Sequence, residues 1–207
     1  MESPAVYRCV IFDLDQTLLD TSELQTLRDN KKWNNIYEKK YLTTPYSGIH
    51  KLIEDLHPLH IKVAVATNSP AGYAKTLLKH HNINPDYLVT YHDVSNHKPD
   101  PECVFKICDH FNLHKTQILY IGDNDTDFYT AKNANVTFFG TPWGTFSNGP
   151  QTFNSYKNFI SEVIDEATDK VVKKAEIRGE DTLVLQENNF FFWVITLPMG
   201  INIVFEP

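Results

Sequence analysis

The segment VIFDLDQTLL, from Val10 to Leu19, ends an apolar run on two aspartates that are one residue apart. Its first three residues have the composition of a buried β-strand. The carboxylates of Asp13 and Asp15 follow at once, and their like charges repel each other. A strand that ends in this way predicts a positively charged partner at its carboxyl end.

The bulk composition indicates a folded protein, because 42% of its 207 residues are hydrophobic and 13% are aromatic. A formal net charge of −7 argues against binding of nucleic acid through a general basic surface. Three cysteines without a C-x-x-C pair, and an N-terminus without a basic segment followed by an apolar one, predict a cytoplasmic protein. The apolar stretch 190–205 is interrupted by Pro198 and Gly200, so it predicts a hairpin and no membrane span.

Five short apolar runs alternate with helical patterns along most of the chain. The predicted strands lie at 6–12, 62–66, 87–91, 118–121 and 136–139. Continuous apolar runs are typical of strands that are covered on both faces. Strand–helix alternation predicts right-handed crossovers within one sheet. The expected fold class is therefore α/β, with a Rossmann-like parallel sheet flanked by helices.

Helices are predicted between these strands by apolar residues at positions i, i+3, i+4 and i+7. This spacing occurs over 49–56 and over 104–111, and Asp100-Pro101 introduces the second helix as an N-cap followed by proline. Ser69-Pro70 introduces a third helix over 71–81 in the same way.

The alternation of strand and helix stops beyond Pro150. A helical stripe over 153–171 is followed by three short strands. These predicted strands lie at 181–185, 190–197 and 201–205. We therefore expect a main domain over 1–175 and a C-terminal β-meander extension over 176–207. The extension is a candidate dimerisation surface, and the sequence leaves the oligomeric state open.

Polar groups follow four of the five predicted strands. They are Asp13 and Asp15 after the first, Thr67-Asn68-Ser69 after the second, Lys98 after the third, and Gly122-Asp123 through Asp127 after the fourth. Parallel strands place their carboxyl ends at one edge of a sheet, where ligands bind. We expect these groups to converge there.

The expected cluster of carboxylates needs a cation. Two unit charges about 4 Å apart repel by roughly 1 kcal/mol in water and about 4 kcal/mol near a protein surface. The candidate metal ligands are Asp13, Asp15, Asp123 and Asp127. Mg²⁺ fits an all-oxygen site that also takes a substrate phosphate, and no cluster of cysteine and histidine competes for a softer metal.

The remaining groups suit an anion. The hydroxyl of Thr67 and the backbone N–H groups near Asn68 lie at a predicted helix N-terminus, and Lys98 adds a compact positive charge. Taken singly, each of these groups also fits an ordinary structural role. Turns and helix caps would account for the aspartate pair, the Thr67 segment and Gly122-Asp123. A solvated surface position would account for Lys98. Their convergence favours phosphoryl transfer.

These motifs resemble those of the haloacid dehalogenase superfamily of phosphohydrolases. Its four motifs stand here as D-x-D-x-T at 13–17, a threonine at Thr67, lysine and proline at Lys98-Pro99, and G-D-x-x-x-D at 122–127. The resemblance covers about residues 5–147. The segment 98–144 looks most like the branch of phosphoglycolate phosphatase and β-phosphoglucomutase.

The resemblance implies a role for each residue. Asp13 would be the nucleophile that forms an aspartyl-phosphate, and Asp15 would protonate the leaving group and then activate water. Asp127 would act near the metal or position the lysine. The Mg²⁺ ligands would be Asp13, Asp123 and the backbone carbonyl of Asp15. The residues that bind the phosphoryl group would be Thr67, Asn68 and Lys98.

Many members of this branch carry a lid after the first motif, and the sequence limits such a cap insert to about residues 21–46. Its basic residues are Arg28, Lys31, Lys32, Lys39 and Lys40. Two interpretations remain open: an amphipathic helix pair with a solvated face, and a small lid whose charge attracts an anionic substrate. So short a lid predicts tolerance for bulky phosphorylated substrates.

We therefore expect a Mg²⁺-dependent phosphatase that hydrolyses a small phosphorylated substrate, with no nucleic-acid or membrane partner. A phosphomutase is an alternative with the same core, but it needs a lid that retains its intermediate. A catalytically silent binding protein on this fold is the alternative from another class.

Overall fold

The structure is a computed structural model that describes residues 7–145 and the three strands of the C-terminal region. The described residues fall into two compact units, with 7–145 in one unit and the C-terminal strands in the other. The helix predicted over 153–171 and the domain boundary predicted at 175 lie outside the described residues.

A five-stranded sheet forms the centre of the first unit. Its strands are β1 (Cys9–Phe12), β4 (Lys62–Ala66), β5 (Tyr87–Val89), β6 (Ile118–Asn124) and β7 (Thr137–Thr145). Their order is β5-β4-β1-β6-β7, and every pair of neighbours is parallel. The predicted α/β fold with a parallel sheet is confirmed.

Within residues 7–145, four helices flank this sheet. They are α3 (Ile49–Leu56), α4 (Ala71–His80), α5 (Glu102–Phe111) and α6 (Asp125–Ala134). Pro70 and Pro101 occupy the N-cap positions of α4 and α5, so both prolines stand just before the helix and not at its first position as predicted. The apolar spacing did not indicate α6, because its buried face carries Asp127, Thr130 and two alanines and no large apolar residue.

The ends of three strands differ from the prediction. β5 stops at Val89 because Thr90 and Asp93 form a capping box that starts a 3-10 turn over Tyr91–Asp93. β6 and β7 continue pairing past their predicted ends, with an irregularity between Gly122 and Asn124. Asp123 and Asn124 therefore belong to β6 itself, and the acidic residues that follow them begin α6, so this segment is not a free loop.

One buried cluster locks the central strands to α5. Ile11, Ala64 and Tyr120 come from β1, β4 and β6, and they pack with Val104 and Ile107 of the helix, all with no exposed surface. Close-packed interiors allow little relative movement of their parts. The carboxyl ends of the three strands are thus held at fixed distances from one another.

The predicted cap region is closed at its base by a two-stranded ribbon, in which Leu19–Asp20 (β2) pairs antiparallel with Thr44–Pro45 (β3). Between these strands lie two short helices and two 3-10 turns. They are Ser22–Leu24, α1 (Gln25–Asp29), α2 (Trp33–Glu38) and Lys40–Leu42. Leu24 and Ile36 are the fully buried apolar side chains of this insert, and the remainder is largely polar.

The second unit contains a three-stranded antiparallel sheet. Its strands are β8 (Thr182–Glu187), β9 (Phe190–Leu197) and β10 (Gly200–Phe205), in the order β10-β9-β8. This is the predicted meander, with the first strand two residues longer at its end than the sequence pattern suggested. Among the residues that the structure describes, no helix is both long and apolar enough to cross a bilayer.

Candidate active site

Asp13 lies at the carboxyl end of the central strand β1. Its backbone N–H donates to the carbonyl of Ile121 at 2.9 Å, which continues the ladder between β1 and β6. The residue is 5% exposed, and its Oδ1 accepts a hydrogen bond from Lys98 Nζ at 2.6 Å. The predicted nucleophile is therefore buried, and the sheet holds its backbone.

Lys98 reaches the same point from the segment between β5 and α5. Its ammonium group also donates to Asp127 Oδ1 at 2.7 Å, to the carbonyl of Ala66 at 3.1 Å and to the hydroxyl of Tyr120 at 3.2 Å. The side chain is 5% exposed. An ammonium so enclosed is a fixed positive charge at the end of β1.

Three carboxylates can hold a metal ion here. Asp13, Asp123 and Asp127 each offer an oxygen, and these oxygens lie within 4.8 Å of one another. Asp123 is oriented by the hydroxyl of Thr17 at 3.3 Å and by the carboxamide of Asn124 at 3.0 Å, both of which donate to its Oδ1. Buried carboxylate oxygens in such a group fit a hard divalent cation.

Gly122 permits the close approach of Asp127 to the strand. A Cβ at this position would lie 2.3 Å from Asp127 Cβ, closer than any real pair of non-bonded carbons. Asp127 Oδ2 also accepts from the backbone N–H of Asp123 at 3.3 Å. The glycine of the motif is therefore required by packing at the beginning of α6.

Burial dominates the ionisation of this cluster. It raises the pKa of Asp13 well above the usual range, with Asp127 and Asp123 adding to the rise and Lys98 opposing it. Burial and Asp127 also raise the pKa of Asp123 to about 7. Burial lowers the pKa of Lys98, but Asp127 and Asp13 outweigh it and leave that pKa well above its usual value. The site thus favours additional positive charge.

Asp15 lies in a different environment from Asp13. Its Oδ1 accepts hydrogen bonds from Thr21 Oγ1 at 2.8 Å and Tyr73 OH at 2.5 Å, and it forms an ion pair with Arg28 Nη1 at 2.6 Å. Its Oδ2 accepts from Ser69 Oγ at 2.7 Å. The side chain is not part of the three-carboxylate group, and a metal contact through the backbone carbonyl of Asp15 stays a prediction.

Thr67 and Asn68 lie at the site with side chains that already have partners. Thr67 Oγ1 accepts from the backbone N–H of Ser69 at 3.0 Å, the capping geometry that the sequence also allowed. The carboxamide of Asn68 exchanges two hydrogen bonds of 3.1 Å with the backbone N–H and carbonyl of Lys98. Asn68 thus fixes the backbone of Lys98, a role that the sequence did not predict, and phosphoryl binding by both residues stays a prediction.

A cavity of about 510 Å³ opens above these groups. Its lining includes Asp13, Asp15, Thr67, Asn68, Lys98 and Asp123. From the cap, Arg28 lines the cavity, whereas Lys31, Lys32 and Lys39 are exposed to solvent and do not. One cap cation therefore belongs to the site, and the solvated-face interpretation fits these three lysines.

Sequence reasoning missed several residues of the site. In the sequence, Arg28 is one of several basic residues of the cap. The positive charge of the cap is therefore the one feature that could have pointed to it as a site residue. The sequence places Ser69 at this edge with Thr67 and Asn68 but does not predict its contact with Asp15, because a serine at that position also fits an ordinary helix cap. Tyr73 and Tyr120 give no signal, because buried tyrosines in a helix and a strand are ordinary core residues.

The sequence profile of one family, described as haloacid dehalogenase-like hydrolase, matches residues 24–141. The chain belongs to this family. The resemblance drawn from the motifs is confirmed, and the matched segment contains the second, third and fourth of them.

Curated relatives support the same assignment. The chain is 26% identical over 133 residues to a phosphoglycolate phosphatase of Vibrio vulnificus (strain CMCP6), covering 63% of this chain and 58% of the relative. It is 32% identical over 108 residues to the pyrophosphatase PpaX of Halalkalibacterium halodurans, covering 51% of this chain and 50% of the relative. The chain thus spans little more than half the length of these relatives.

Solved structures share the fold. A predicted phosphoglycolate phosphatase of Haemophilus somnus 129PT superposes with a TM-score of 0.65 at 17% identity, covering 77% of this chain and 98% of the other. CbbY of Rhodobacter sphaeroides, solved as a mutant in complex with xylulose-(1,5)bisphosphate, gives a TM-score of 0.57 at 15% identity, with coverage of 72% and 94%. At these identities the likeness establishes the fold alone.

The packing at Gly122 generates the first prediction. We expect Gly122→Ala to weaken Mg²⁺ binding by about 10–100-fold. The added methyl group would displace Asp127 from the other two carboxylates and from Lys98. Isothermal titration calorimetry with MgCl₂ measures this. Gly72→Ala is the matched control, since its Cβ would meet only the phenol end of the Tyr37 side chain, which can turn away. Equal affinities of the Gly122 variant and the wild type would contradict the prediction.

The raised pKa of Asp123 predicts a pH dependence of stability. Between the ordinary value of 3.8 and about 7, the folded state binds more protons than the unfolded state, so the free energy of unfolding in EDTA should fall as pH rises through this window. Mg²⁺ should restore stability above pH 7, because it replaces the protons.

Thermal unfolding at pH 5 and pH 7.5, with EDTA or Mg²⁺, measures this effect. Asp123→Asn should show a smaller fall with pH in EDTA and a smaller gain from Mg²⁺. The half-exposed Asp55 of α3 provides the control, because Asp55→Asn should leave both changes as in the wild type. If the stability of the wild type in EDTA rises with pH across this window while that of Asp123→Asn does not, the assignment is disproved.

Proposed function

We propose that the protein is a Mg²⁺-dependent phosphatase that hydrolyses a phosphate monoester through an aspartyl-phosphate on Asp13. The observation that carries this proposal is the place of the Asp13 carboxylate, in contact with the ammonium of Lys98 and beside the carboxylates of Asp123 and Asp127. Membership of the hydrolase family supports it.

The donor set fits the proposed metal. Three buried carboxylates face one ammonium group, so the cluster carries excess negative charge and offers only oxygen ligands. Asp13, Asp123 and the backbone carbonyl of Asp15 would hold Mg²⁺, with Asp127 beside them. The ion, when bound, supplies positive charge that offsets the carboxylates and the charge that develops on the transferred phosphoryl group.

The first proposed step forms a bond between an Asp13 oxygen and phosphorus as the bond from phosphorus to the leaving oxygen breaks. Lys98 holds the attacking carboxylate in place and offsets charge on the phosphoryl oxygens. The carboxyl group of Asp15 transfers its proton to the leaving oxygen. The hydroxyl of Thr67, which lines the cavity, can donate to a phosphoryl oxygen while it accepts from Ser69.

In the second proposed step, water attacks the phosphorus of the aspartyl-phosphate. Asp15, now ionised, accepts a proton from this water, and the bond between Asp13 and phosphorus breaks. Inorganic phosphate is released and the Asp13 carboxylate is restored. Asp15 would thus serve as acid and then as base, as its separate position beside the cap allows.

The structure also bears on the two alternatives. A phosphomutase must keep its phosphorylated intermediate from water, and a cap of two short helices offers little cover for this. A silent binding protein has no need for a buried ion pair between Lys98 and Asp13 with side chains 5% and 8% exposed. We therefore favour hydrolysis of a phosphorylated small molecule, with Arg28 near the part of the substrate that is not transferred.

The nucleophile assignment gives the next prediction. Asp13→Asn removes the attacking charge with almost no change in shape, so we expect hydrolysis of 4-nitrophenyl phosphate with Mg²⁺ to fall at least about a thousand-fold. EDTA should reduce the wild type to the same background. Asp55→Asn should keep wild-type turnover. Full activity in the Asp13 variant would exclude the proposed nucleophile.

The short cap predicts a broad substrate size. We expect nucleoside monophosphates and phosphopeptides to be hydrolysed with kcat/KM within about tenfold of that for glycerol phosphate, because the cap does not enclose the 510 Å³ cavity. Measuring the phosphate released from a panel of these esters gives the kcat/KM values to compare. Activity confined to the smallest esters would contradict the inference.

A further inference from the structure

The carboxylate of Asp15 is held by donors from two parts of the protein. Thr21 and Arg28 belong to the base and the first helix of the cap. Ser69 lies just before α4, and Tyr73 lies in the first turn of that helix. The proposed acid and base is therefore oriented by both the core and the cap.

Tyr73 is a fully buried member of this set of donors. Its side chain has no exposed surface, and its hydroxyl donates to Asp15 Oδ1 at 2.5 Å. A phenol is protonated at neutral pH, so this hydroxyl is a donor to the carboxylate. Arg28, by contrast, reaches the carboxylate with a long side chain from a short helix.

The ring of Tyr73 also contacts the cap. The indole of Trp33, at the beginning of α2, meets it edge to face with ring centroids 5.8 Å apart. A Cβ on the adjacent Gly72 would lie 2.8 Å from the hydroxyl of Tyr37, a second residue of α2. The beginning of α4 therefore lies directly against this cap helix.

We propose that Tyr73 is a positioning residue for Asp15: its hydroxyl fixes the carboxyl group that protonates the leaving group, and its ring links that geometry to the cap through Trp33. This inference rests on the proposed function. A phenylalanine would fill the same core space, so the hydroxyl is the group that the packing does not explain.

The leaving group separates this role from a merely structural one. A leaving oxygen that is strongly basic needs a proton in the transition state, whereas a weakly basic one departs without it. Misplacing Asp15 should therefore slow phenyl phosphate and leave 2,4-dinitrophenyl phosphate nearly unaffected. General damage to the fold or to the metal site would slow both esters alike.

The test is Tyr73→Phe, assayed with Mg²⁺ on both esters. We expect kcat/KM for phenyl phosphate to fall about tenfold or more, and kcat/KM for 2,4-dinitrophenyl phosphate to stay within about threefold of the wild type. Tyr87→Phe is the matched control, because this half-buried tyrosine of β5 stacks on His110 and does not line the site. Equal losses on the two esters, or no loss on phenyl phosphate, would overturn the proposal.

A double-variant comparison keeps the proposal testable if Tyr73→Phe is less stable. In an Asp15→Asn background, Tyr73→Phe should cause no further loss on phenyl phosphate, because the carboxylate that it positions is already gone. A further loss of about tenfold would assign Tyr73 to another role. Trp33→Leu should reproduce the leaving-group pattern of Tyr73→Phe, and wild-type behaviour of this variant would disprove the link to the cap.

Failure of the proposed function would give a different result. A wild-type protein that hydrolyses neither ester with Mg²⁺, or an Asp13→Asn variant that hydrolyses both at the wild-type rate, would reject the phosphatase mechanism and the role of Tyr73 with it. An active wild type that depends on Asp13, together with equal losses in Tyr73→Phe, would reject the role of Tyr73 alone.

Discussion

Two buried carboxylates share one ammonium group at the end of β1, and the geometry of the site depends on this contact. Lys98 lies 2.6 Å from Asp13 and 2.7 Å from Asp127, which come from segments 114 residues apart in the sequence. Removing one member of such a buried set leaves an uncompensated charge and costs about 3–5 kcal/mol. The ends of β1 and β6 and the segment before α5 must therefore meet with little tolerance.

The surrounding residues satisfy this constraint. Gly122 lets α6 begin close enough to β6 for Asp127 to reach the lysine. Asn68 holds the backbone of Lys98 from the end of β4, and Tyr120 contacts both the lysine and Asp127 through its hydroxyl. The side chains of the site thus hold one another in place, and a preorganised arrangement of this kind favours electrostatic stabilisation of a transition state.

The two aspartates of the first motif have opposite surroundings although one residue separates them. Asp13 faces charged groups inside the core, whereas Asp15 faces three hydroxyl groups and Arg28 beside the cap. In a continuous strand, side chains two residues apart point to the same side. Asp13 and Asp15 do not, because the strand ends at Phe12 and the chain turns. Different environments for two carboxylates are what distinct roles in one reaction require.

The parallel sheet, the polar groups at its strand ends and the acidic cluster could all be predicted from the amino-acid pattern, because apolar runs and the residues that follow them are local features. That pattern did not indicate α6, whose buried face is small and polar. The binding of Asn68 to the backbone of Lys98, and the reach of Arg28 and Tyr73 to Asp15, became visible in the folded chain alone. Those contacts depend on where a helix begins and on how the cap packs against α4, and neither the register of a helix nor the position of an insert is encoded in a short motif.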